Sequence, residues 1–432
     1  MIRPLPPLLS QRLTDDAAGI TSVCTAHPIV IEATLAHGLR TGRRVLIEAT
    51  CNQVNQEGGY TGMTPAAFRG FVEAIAAKVG FDPARIILGG DHLGPNPWKH
   101  LSPGDAMGRA LTMIGAYAQA GFSKLHLDTS MGCAGEPAAL ADAVTAERAA
   151  ALASAAEAEV GVGLSPVYVI GTEVPVPGGA QHALDTLAVT RPEAAFRTLE
   201  VHRQAFRARG RDDAFARVIG VVVQPGVEFG STDVIGYQPV KAEALAAALD
   251  HMPGLVFEAH STDYQSEGAL AALVRDGFAI LKVGPWLTFA LREALYGLDA
   301  IAGILPTQDG ADPDRTEGLP ALMEALMVRE PEYWRNYYAG DADALRLQRH
   351  YSFSDRIRYY WPHREAQHGV ERLFARLGDR PIPGPLVSQH LGKLYGAVAD
   401  GSLAPRPRDL AIAAVQQVLD RYDRACHATP RG

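Results

Sequence analysis

The chain has few cysteines and no long apolar run. Its four cysteines, among 432 residues, are scattered and form no C-x-x-C pair. This spacing is typical of reduced thiols in a cytoplasmic protein rather than of a disulfide scaffold. No stretch reaches the roughly 18 apolar residues of a membrane-spanning helix, and the opening MIRPLPPLLSQRL has no apolar signal-peptide core. We therefore expect a cytoplasmic protein with no membrane segment.

Runs of one charge sign and nucleotide-binding motifs are also absent. The formal net charge of -8 is spread along the chain, so no nucleic-acid groove or polybasic membrane patch is expected. No G-x-G-x-x-G follows the first apolar run, where the sequence reads CTAHPIV, and no Walker A motif occurs. A dinucleotide-binding domain and a sugar kinase are therefore both disfavoured.

The sequence does contain a repeated alternation of short apolar runs and Ala-rich helical patterns. Unbroken apolar runs are typical of strands covered on both faces, and strand–helix alternation indicates a parallel sheet. Eight units over about 280 residues fit a closed barrel better than an open sheet. We predict an α/β fold with a (β/α)8 TIM barrel over residues 1–305. The predicted strands are Ile20–Cys24, Val45–Ala49, Ile86–Gly90, Lys124–Asp128, Val167–Glu173, Val218–Gln224, Leu255–His260 and Ala279–Val283.

The pattern changes after residue 305. TQDGADPDRTEG is a polar linker, and the remaining sequence has helical patterns rich in Leu, Ala, Arg and aromatic residues. We predict that residues 306–432 form a helical extension packed on the barrel. Its predicted helices are Leu319–Val328, Pro331–Tyr338, Ala342–Arg349, Arg364–Leu377 and Arg408–Tyr422.

Polar residues follow almost every predicted strand, and in a TIM barrel these positions line the active site. Two imidazoles and several carboxylates converging there could bind Zn²⁺ or a similar ion. A structural role fits some of them equally well, because His126 and Glu258 lie inside strands and Asp91 could cap a turn. The candidates are Asp91, His92, His126, Asp128, Glu173, Gln224, Glu258, His260, Ser261, Asp263, Lys282 and Gly284.

Two further features have alternative interpretations. Lys282 could form a Schiff base, but an ion pair in the barrel or a phosphate contact is favoured. The loop NQVNQEGGYTGMTP, which begins with Asn52 and Gln53, either closes over a substrate or is an ordered surface loop.

At these positions the sequence resembles the tagatose-1,6-bisphosphate aldolase non-catalytic subunit family, also labelled tagatose 6-phosphate kinase. The resemblance covers almost the whole chain. It is carried by SVCTAHPIVIEA, IEATCNQVNQEGGYTGMTP, LGGDHLGPNPW, KLHLDTSMGCAG, YVIGTEVPVPGG, FEAHSTDYQ, LKVGPWLTFALREAL and YSFSDRIRYYWP.

More distantly, the pattern is similar to the catalytic class II ketose-bisphosphate aldolases. The resemblance implies zinc binding by His92 and His260, proton transfer by Asp91, and an acidic role for Glu173. Gln224 stands where those enzymes have a third zinc histidine, which puts affinity, geometry or reaction in doubt because an amide oxygen is a weaker zinc ligand. Their glycine-rich phosphate turn is replaced by Ser261–Thr262–Asp263.

The resemblance implies two functions. In the first, the chain is a metal-dependent ketose or ketose-phosphate 4-epimerase. A metal held by His92, Glu173, Gln224 and His260 would stabilise an enediolate while Asp91 or Asp128 takes the O4 proton. Release of the aldehyde would make the same chemistry an aldolase.

In the second, the chain is an accessory subunit that stabilises a separate aldolase. In either case the expected ligand is a small ketose or ketose phosphate. Arg356 and Arg358 could hold the phosphate over the barrel mouth, or form ordinary ion pairs. The aromatic-rich tail could form a homo-oligomer interface, although an intramolecular core is the simpler interpretation.

Overall fold

The computed structural model describes residues 17–161, 163, 165–172, 187–306 and 318–427. Eight parallel strands close into a barrel, because the first strand pairs with both the second and the last. A separate antiparallel hairpin, β7 (Glu228–Phe229) and β8 (Val234–Ile235), follows the sixth barrel strand. The predicted TIM barrel is confirmed. Its strands are β1 (Ile20–Cys24), β2 (Val45–Thr50), β3 (Ile86–Leu93), β4 (Lys124–Leu127), β5 (Val167–Ile170), β6 (Val218–Val223), β9 (Val256–Ala259) and β10 (Ile280–Val283).

Helices follow the strands where the sequence predicts them. The helix Pro65–Val79 shows why its bounds are readable: the Thr64 side chain accepts the backbone N–H of Ala67, and Gly80 ends the helix at φ +75°. The helices up to residue 304 are α1 (Pro28–Thr41), α2 (Pro65–Val79), α3 (Pro103–Gln119), α4 (Asp142–Glu159), α5 (Pro192–Ala208), α6 (Asp212–Phe215), α7 (Pro239–Ala248), α8 (Glu267–Arg275) and α9 (Pro285–Ile304).

The C-terminal part is helical, as predicted. The predicted helix Pro331–Tyr338 is wrong in extent, because only Pro331–Tyr333 forms a single 3₁₀ turn. A second 3₁₀ turn, Arg356–Tyr360, is relevant to the site below. The helices are α10 (Leu319–Arg329), α11 (Ala342–Tyr351), α12 (Arg364–Leu377), α13 (Gly384–His390), α14 (Gly392–Ala399) and α15 (Pro407–Cys426).

The last helix, α15, belongs to the wall of the barrel. It packs against α1, α8 and α9 and contacts β1, so it covers the seam where the first and last strands meet. The backbone N–H of Ala18 donates to the carbonyl of Cys426 at 2.8 Å, and Arg43 pairs with Asp423 at 3.0 Å. The division of the chain after residue 305 stays a prediction. None of the described helices is long and apolar enough to cross a membrane.

The barrel interior changes from apolar to charged along the strands. Alternate residues of a strand point to the same side. Leu46 and Glu48 of β2 therefore both face the barrel interior, as do Ile280 and Lys282 of β10. The first of each pair belongs to an apolar layer, whereas the second is a buried charge. The apolar layer consists of Ile20, Leu46, Ile87, Val167, Val169, Ile219, Val222, Val256, Ala279 and Ile280. In β2 and β10 the buried charge therefore lies closer to the C-terminal end of the strand than the apolar layer does.

Candidate metal and substrate site

Three buried histidines meet at the C-terminal mouth of the barrel. His92 is the second-last residue of β3, His126 lies in β4, and His260 directly follows β9. Their ring centroids are 4.8 to 5.2 Å apart. His92 and Ser261 have φ values of +47° and +53°, a backbone region that is costly for residues other than glycine and that is concentrated at functional sites.

His92 is oriented by a buried carboxylate. Its Nδ1 lies 2.7 Å from Asp128 Oδ2, while Asp128 Oδ1 accepts the Ser130 hydroxyl at 2.8 Å. Burial disfavours the Asp128 carboxylate, but the hydrogen bond and the charge of His92 outweigh it and lower the Asp128 pKa to about 2. In the neutral ring with Nδ1 donating to Asp128, the Nε2 lone pair of His92 would be available to a metal, as in carboxylate–histidine–metal arrangements.

The other two imidazoles also suit a cation. His126 Nδ1 lies 3.0 Å from Asp91 Oδ1, and its buried Nε2 has no hydrogen-bond partner among the described residues. His260 Nε2 lies 2.9 Å from Glu258 Oε1. Burial lowers the pKa of His260 to about 3, so the ring is neutral at neutral pH, the form that binds metal.

Asp91, His126, Glu258 and His260 each offer one potential metal-ligand atom, and these four atoms lie within 4.8 Å of one another. Imidazole nitrogens with carboxylate oxygens suit Zn²⁺ and other first-row divalent ions. The buried Nδ1 of His126 lies 3.0 Å from Asp91 Oδ1 and 4.0 Å from Glu258 Oε1, so imidazole and carboxylate donors are close together. The residues therefore fit a divalent metal.

Beneath the histidines is a buried ion network. Lys124 Nζ lies 2.6 Å from Glu48 Oε1 and 2.7 Å from Glu258 Oε2. Lys282 Nζ lies 2.6 Å from Asp91 Oδ1 and also contacts Glu48. Burial disfavours the charged Lys282 ammonium, but Asp91 and other anions outweigh it and hold its pKa well above the usual value. Since a Schiff base needs a neutral amine, the geometry favours the ion-pair interpretation of Lys282.

Sequence reasoning missed Glu48 and Lys124. Glu48 is a charge inside the strand VLIEAT, and Lys124 is a fully buried charge at the start of the strand KLHL; a charge within a predicted barrel strand is the signal that could have identified them. Gly89 makes room for this network, because a Cβ there would lie 2.6 Å from Glu48 Oε1.

A cavity opens above the histidines and is lined by most of the predicted substrate residues. It also includes Cys24, Tyr60, Phe229 and Tyr359, which sequence reasoning did not single out. A side chamber of about 370 Å³ between α1 and α12 adjoins it and shares Gln53, Tyr60 and Arg358. The predicted substrate residues that line the cavity are Asn52, Gln53, Ser261, Asp263, Lys282, Gly284 and Arg358.

The two candidate arginines lie in different places. Arg358 lines the cavity, and its Nη2 donates to the Tyr359 hydroxyl at 2.9 Å. Arg356 instead lines a separate open cleft, where its guanidinium lies 3.3 Å from the ring centroid of Tyr337 and its Nε donates to the Tyr333 carbonyl. The structure therefore brings Arg358, and not Arg356, to the candidate site.

Two predicted metal ligands are not part of the cluster as described. Glu173 lies outside the described residues. The Gln224 amide oxygen accepts the backbone N–H groups of Gly226 at 2.8 Å and Val227 at 2.9 Å, and so caps its own turn. Their roles as ligands stay predictions.

Comparison with known proteins gives close relatives. A curated protein from Agrobacterium fabrum named D-tagatose 6-phosphate 4-epimerase is 54% identical over 423 residues, which cover 98% of each chain. A crystal structure described as a probable tagatose 6 phosphate kinase from Sinorhizobium meliloti is 57% identical, covers 94% of this chain and 100% of its own, and superposes with a TM-score of 0.87. Residues 5–427 match the model of one protein family. The chain belongs to that family, the D-tagatose-1,6-bisphosphate aldolase subunit GatZ/KbaZ-like proteins.

Proposed function

We propose that this chain is a divalent-metal-dependent 4-epimerase of a ketose phosphate, with D-tagatose 6-phosphate as the first substrate to test. The observation that carries the proposal is the convergence of three buried imidazoles next to Asp91 at the barrel mouth. The name of the Agrobacterium relative supports the choice of substrate. The four free thiols support the further proposal that the protein works in the cytoplasm.

We assign metal binding to His92, His126 and His260, with Glu258 next to them. A divalent ion bound there supplies Lewis-acid stabilisation of negative charge on the ketose oxygens, and Zn²⁺ is the expected ion. Asp128 acts through His92, because both of its oxygens are already engaged by His92 and Ser130. It is therefore a positioning residue rather than the base.

Asp91 is the better candidate for proton transfer. It lines the cavity, and Lys282 at 2.6 Å helps to keep it ionised. Burial disfavours its charge, but His92, Lys282 and the hydrogen bond from His126 outweigh burial and keep the Asp91 pKa well below the usual range. Asp91 is therefore ionised, as a proton acceptor must be, and the Lys282 ammonium at 2.6 Å stabilises that charge.

In the proposed reaction Asp91 takes the O4 proton, the C3–C4 bond breaks, and its electron pair passes to the C2 carbonyl. The aldehyde fragment rotates, the C3–C4 bond re-forms on the other face, and Asp91 returns the proton to O4. Arg358 is positioned to hold the phosphate of the fragment during rotation, and Tyr60 and Tyr359 enclose it. Retention of the fragment is what separates an epimerase from an aldolase.

The test uses the purified chain alone. Bound metal is quantified, and turnover is followed by NMR with tagatose 6-phosphate, fructose 6-phosphate and their free and bisphosphorylated forms. We expect about one metal ion per chain and inversion at C4. His260→Ala should lose metal and activity together with an unchanged circular dichroism spectrum, whereas His368→Ala, at an exposed histidine of α12, should keep both.

Full activity of His260→Ala would contradict the proposed metal site. Absence of metal and turnover, with an effect only when a separate aldolase is added, would instead support an accessory-subunit role. In that case the charged residues of the mouth would not form a catalytic centre.

A further inference from the structure

The first backbone N–H groups of α9 are fully engaged. Asp263 Oδ1 accepts the N–H of Gly284 at 3.1 Å and that of Trp286 at 2.8 Å. Pro285, between them, has no N–H. The N–H of Leu287 donates to the Gly284 carbonyl at 3.1 Å. No N–H group in the first turn of this helix is left for a ligand.

This arrangement lies where TIM barrels commonly bind phosphate. That site is built from the loops after the seventh and eighth strands together with a helix N-terminus. Here the seventh and eighth barrel strands are β9 and β10, Asp263 follows β9, and α9 follows β10. A carboxylate of the protein therefore occupies the position that a phosphate would take.

The turn that carries Asp263 is held in one conformation. Ser261 and Tyr264, on either side of it, both have positive φ values, +53° and +63°. The Tyr264 hydroxyl donates to the Phe353 carbonyl at 2.6 Å, and the Thr262 hydroxyl donates to the Lys282 carbonyl. Since such a backbone is costly unless its surroundings enforce it, the position of Asp263 is built into the fold.

We propose that Asp263 is a specificity-determining residue that excludes phosphate from the corner between β9 and β10, so that the cavity accepts a ketose monophosphate and rejects a ketose bisphosphate. The inference rests on the proposed function and makes its substrate class more specific. A sugar hydroxyl can donate a hydrogen bond to a carboxylate, whereas a phosphate dianion is repelled by it. The phosphorylated end of the substrate then lies away from this corner, and Arg358 is the arginine that lines the same cavity.

The charges of the groups around Asp263 are consistent with this assignment. Lys282, the nearest lysine in the cavity, is already paired with Glu48 and Asp91. Burial raises the pKa of Asp263 to about 6, so the carboxylate is still mostly ionised at pH 7.5 and above. Asp263 therefore adds negative charge to the corner, partly offset by Arg358, whose charge lowers the Asp263 pKa.

The experiment measures binding rather than turnover. Tagatose 6-phosphate, tagatose 1,6-bisphosphate and inorganic phosphate are titrated by calorimetry at pH 7.5 into the wild type, Asp263→Ala, Asp263→Asn and Asp299→Ala. Asp299 is the matched control, because it also accepts a helix N-terminal N–H, that of Leu319 at 3.0 Å, but does not line the cavity.

We expect the wild type to bind the monophosphate at least about tenfold more tightly than the bisphosphate, since like-charge contacts are strongly unfavourable. Asp263→Ala should remove this preference and gain affinity for inorganic phosphate. Asp263→Asn keeps an oxygen for the two N–H groups and loses the charge, so it should reduce the preference less. Asp299→Ala should behave as the wild type.

The inference would be overturned if the wild type bound the monophosphate and the bisphosphate with equal affinity. It would also be overturned if the ratio of these two affinities were unchanged in both Asp263 variants. If Asp263→Ala does not fold, the ratio for Asp263→Asn decides. A protein with the expected preference but no C4 inversion would overturn the proposed function and keep this inference. A protein that inverts C4 of the monophosphate and of the bisphosphate equally well would overturn this inference and keep the proposed function.

Discussion

Substitution of Lys124 tests the buried ion network most directly. The Lys124 side chain has no exposed surface and pairs with two equally buried carboxylates, those of Glu48 and Glu258, at 2.6 and 2.7 Å. Lys124→Met keeps the length of the side chain but leaves two anions in the barrel interior with one cation fewer. Removing one partner of a buried ion pair costs about 3–5 kcal/mol of unfolding free energy.

The loss of unfolding free energy in Lys124→Met should depend on pH. Burial disfavours the Glu258 carboxylate, but Lys124, Lys282 and the hydrogen bond from His260 outweigh it and hold the Glu258 pKa well below its usual value. This lowered pKa gives the wild type stability above the unfolded-state pKa of about 4.3, and that stability is lost as the pH falls. Without Lys124 the Glu258 pKa rises, so the variant should be penalised more at pH 8 than at pH 5.

The assay is urea unfolding followed by circular dichroism at both pH values. Lys393→Met is the matched control, because Lys393 pairs with Glu293 at 2.8 Å on the surface and its loss should change stability by no more than about 1 kcal/mol. A Lys124→Met loss equal to that of the control, or one larger at pH 5 than at pH 8, would refute the reasoning.

Two other predictions concern single histidines. Asp128→Asn should lower metal affinity by about 10–100-fold, because it disturbs the group that orients His92, whereas Ser130→Ala should have a smaller effect. Competition with a chelator measures both affinities, and equal metal affinities of the two variants would contradict the prediction. Burial lowers the pKa of His202 to about 4, so the unfolded state binds more protons between about pH 6.5 and 4 and stability falls as the pH is lowered through that range. His202→Gln should therefore lose about 2 kcal/mol less than the wild type between pH 7 and pH 5 in urea unfolding, and parallel losses would contradict this.

Much of the fold could be predicted from local sequence. The bounds of β1 and of Pro65–Val79 match the predictions because each element ends at a clear signal, such as the capping pair Thr64 and Gly80. Pro331–Tyr338 has a helical composition, but it forms one 3₁₀ turn followed by hydrogen-bonded turns instead of a continuous helix. Tyr333 stacks on Tyr359, and its carbonyl accepts a hydrogen bond from Arg356, so tertiary contacts of this kind compete with the helical propensity.

The arrangement of the candidate site was harder to predict from the sequence than the fold. The inward direction of Glu48 and Lys124 depends on which residue of each strand faces the barrel axis, and one residue of shift would reverse it. The grouping of His126 with His92 requires the pairing of β3 with β4, which contains an irregularity between Gly90 and Leu93. Composition near strand ends predicted which polar residues line the barrel mouth, whereas strand register decides which of their side chains meet.

The position of α15 has a consequence for how the molecule is assembled. Residues 407–426 are translated after every barrel strand, yet they cover the seam between the first and the last strand. During synthesis on the ribosome, that seam stays exposed until this helix has emerged. A chain that stops before it would present apolar surface to chaperones and proteases, even though all eight strands and the three histidines of the barrel mouth had already been made.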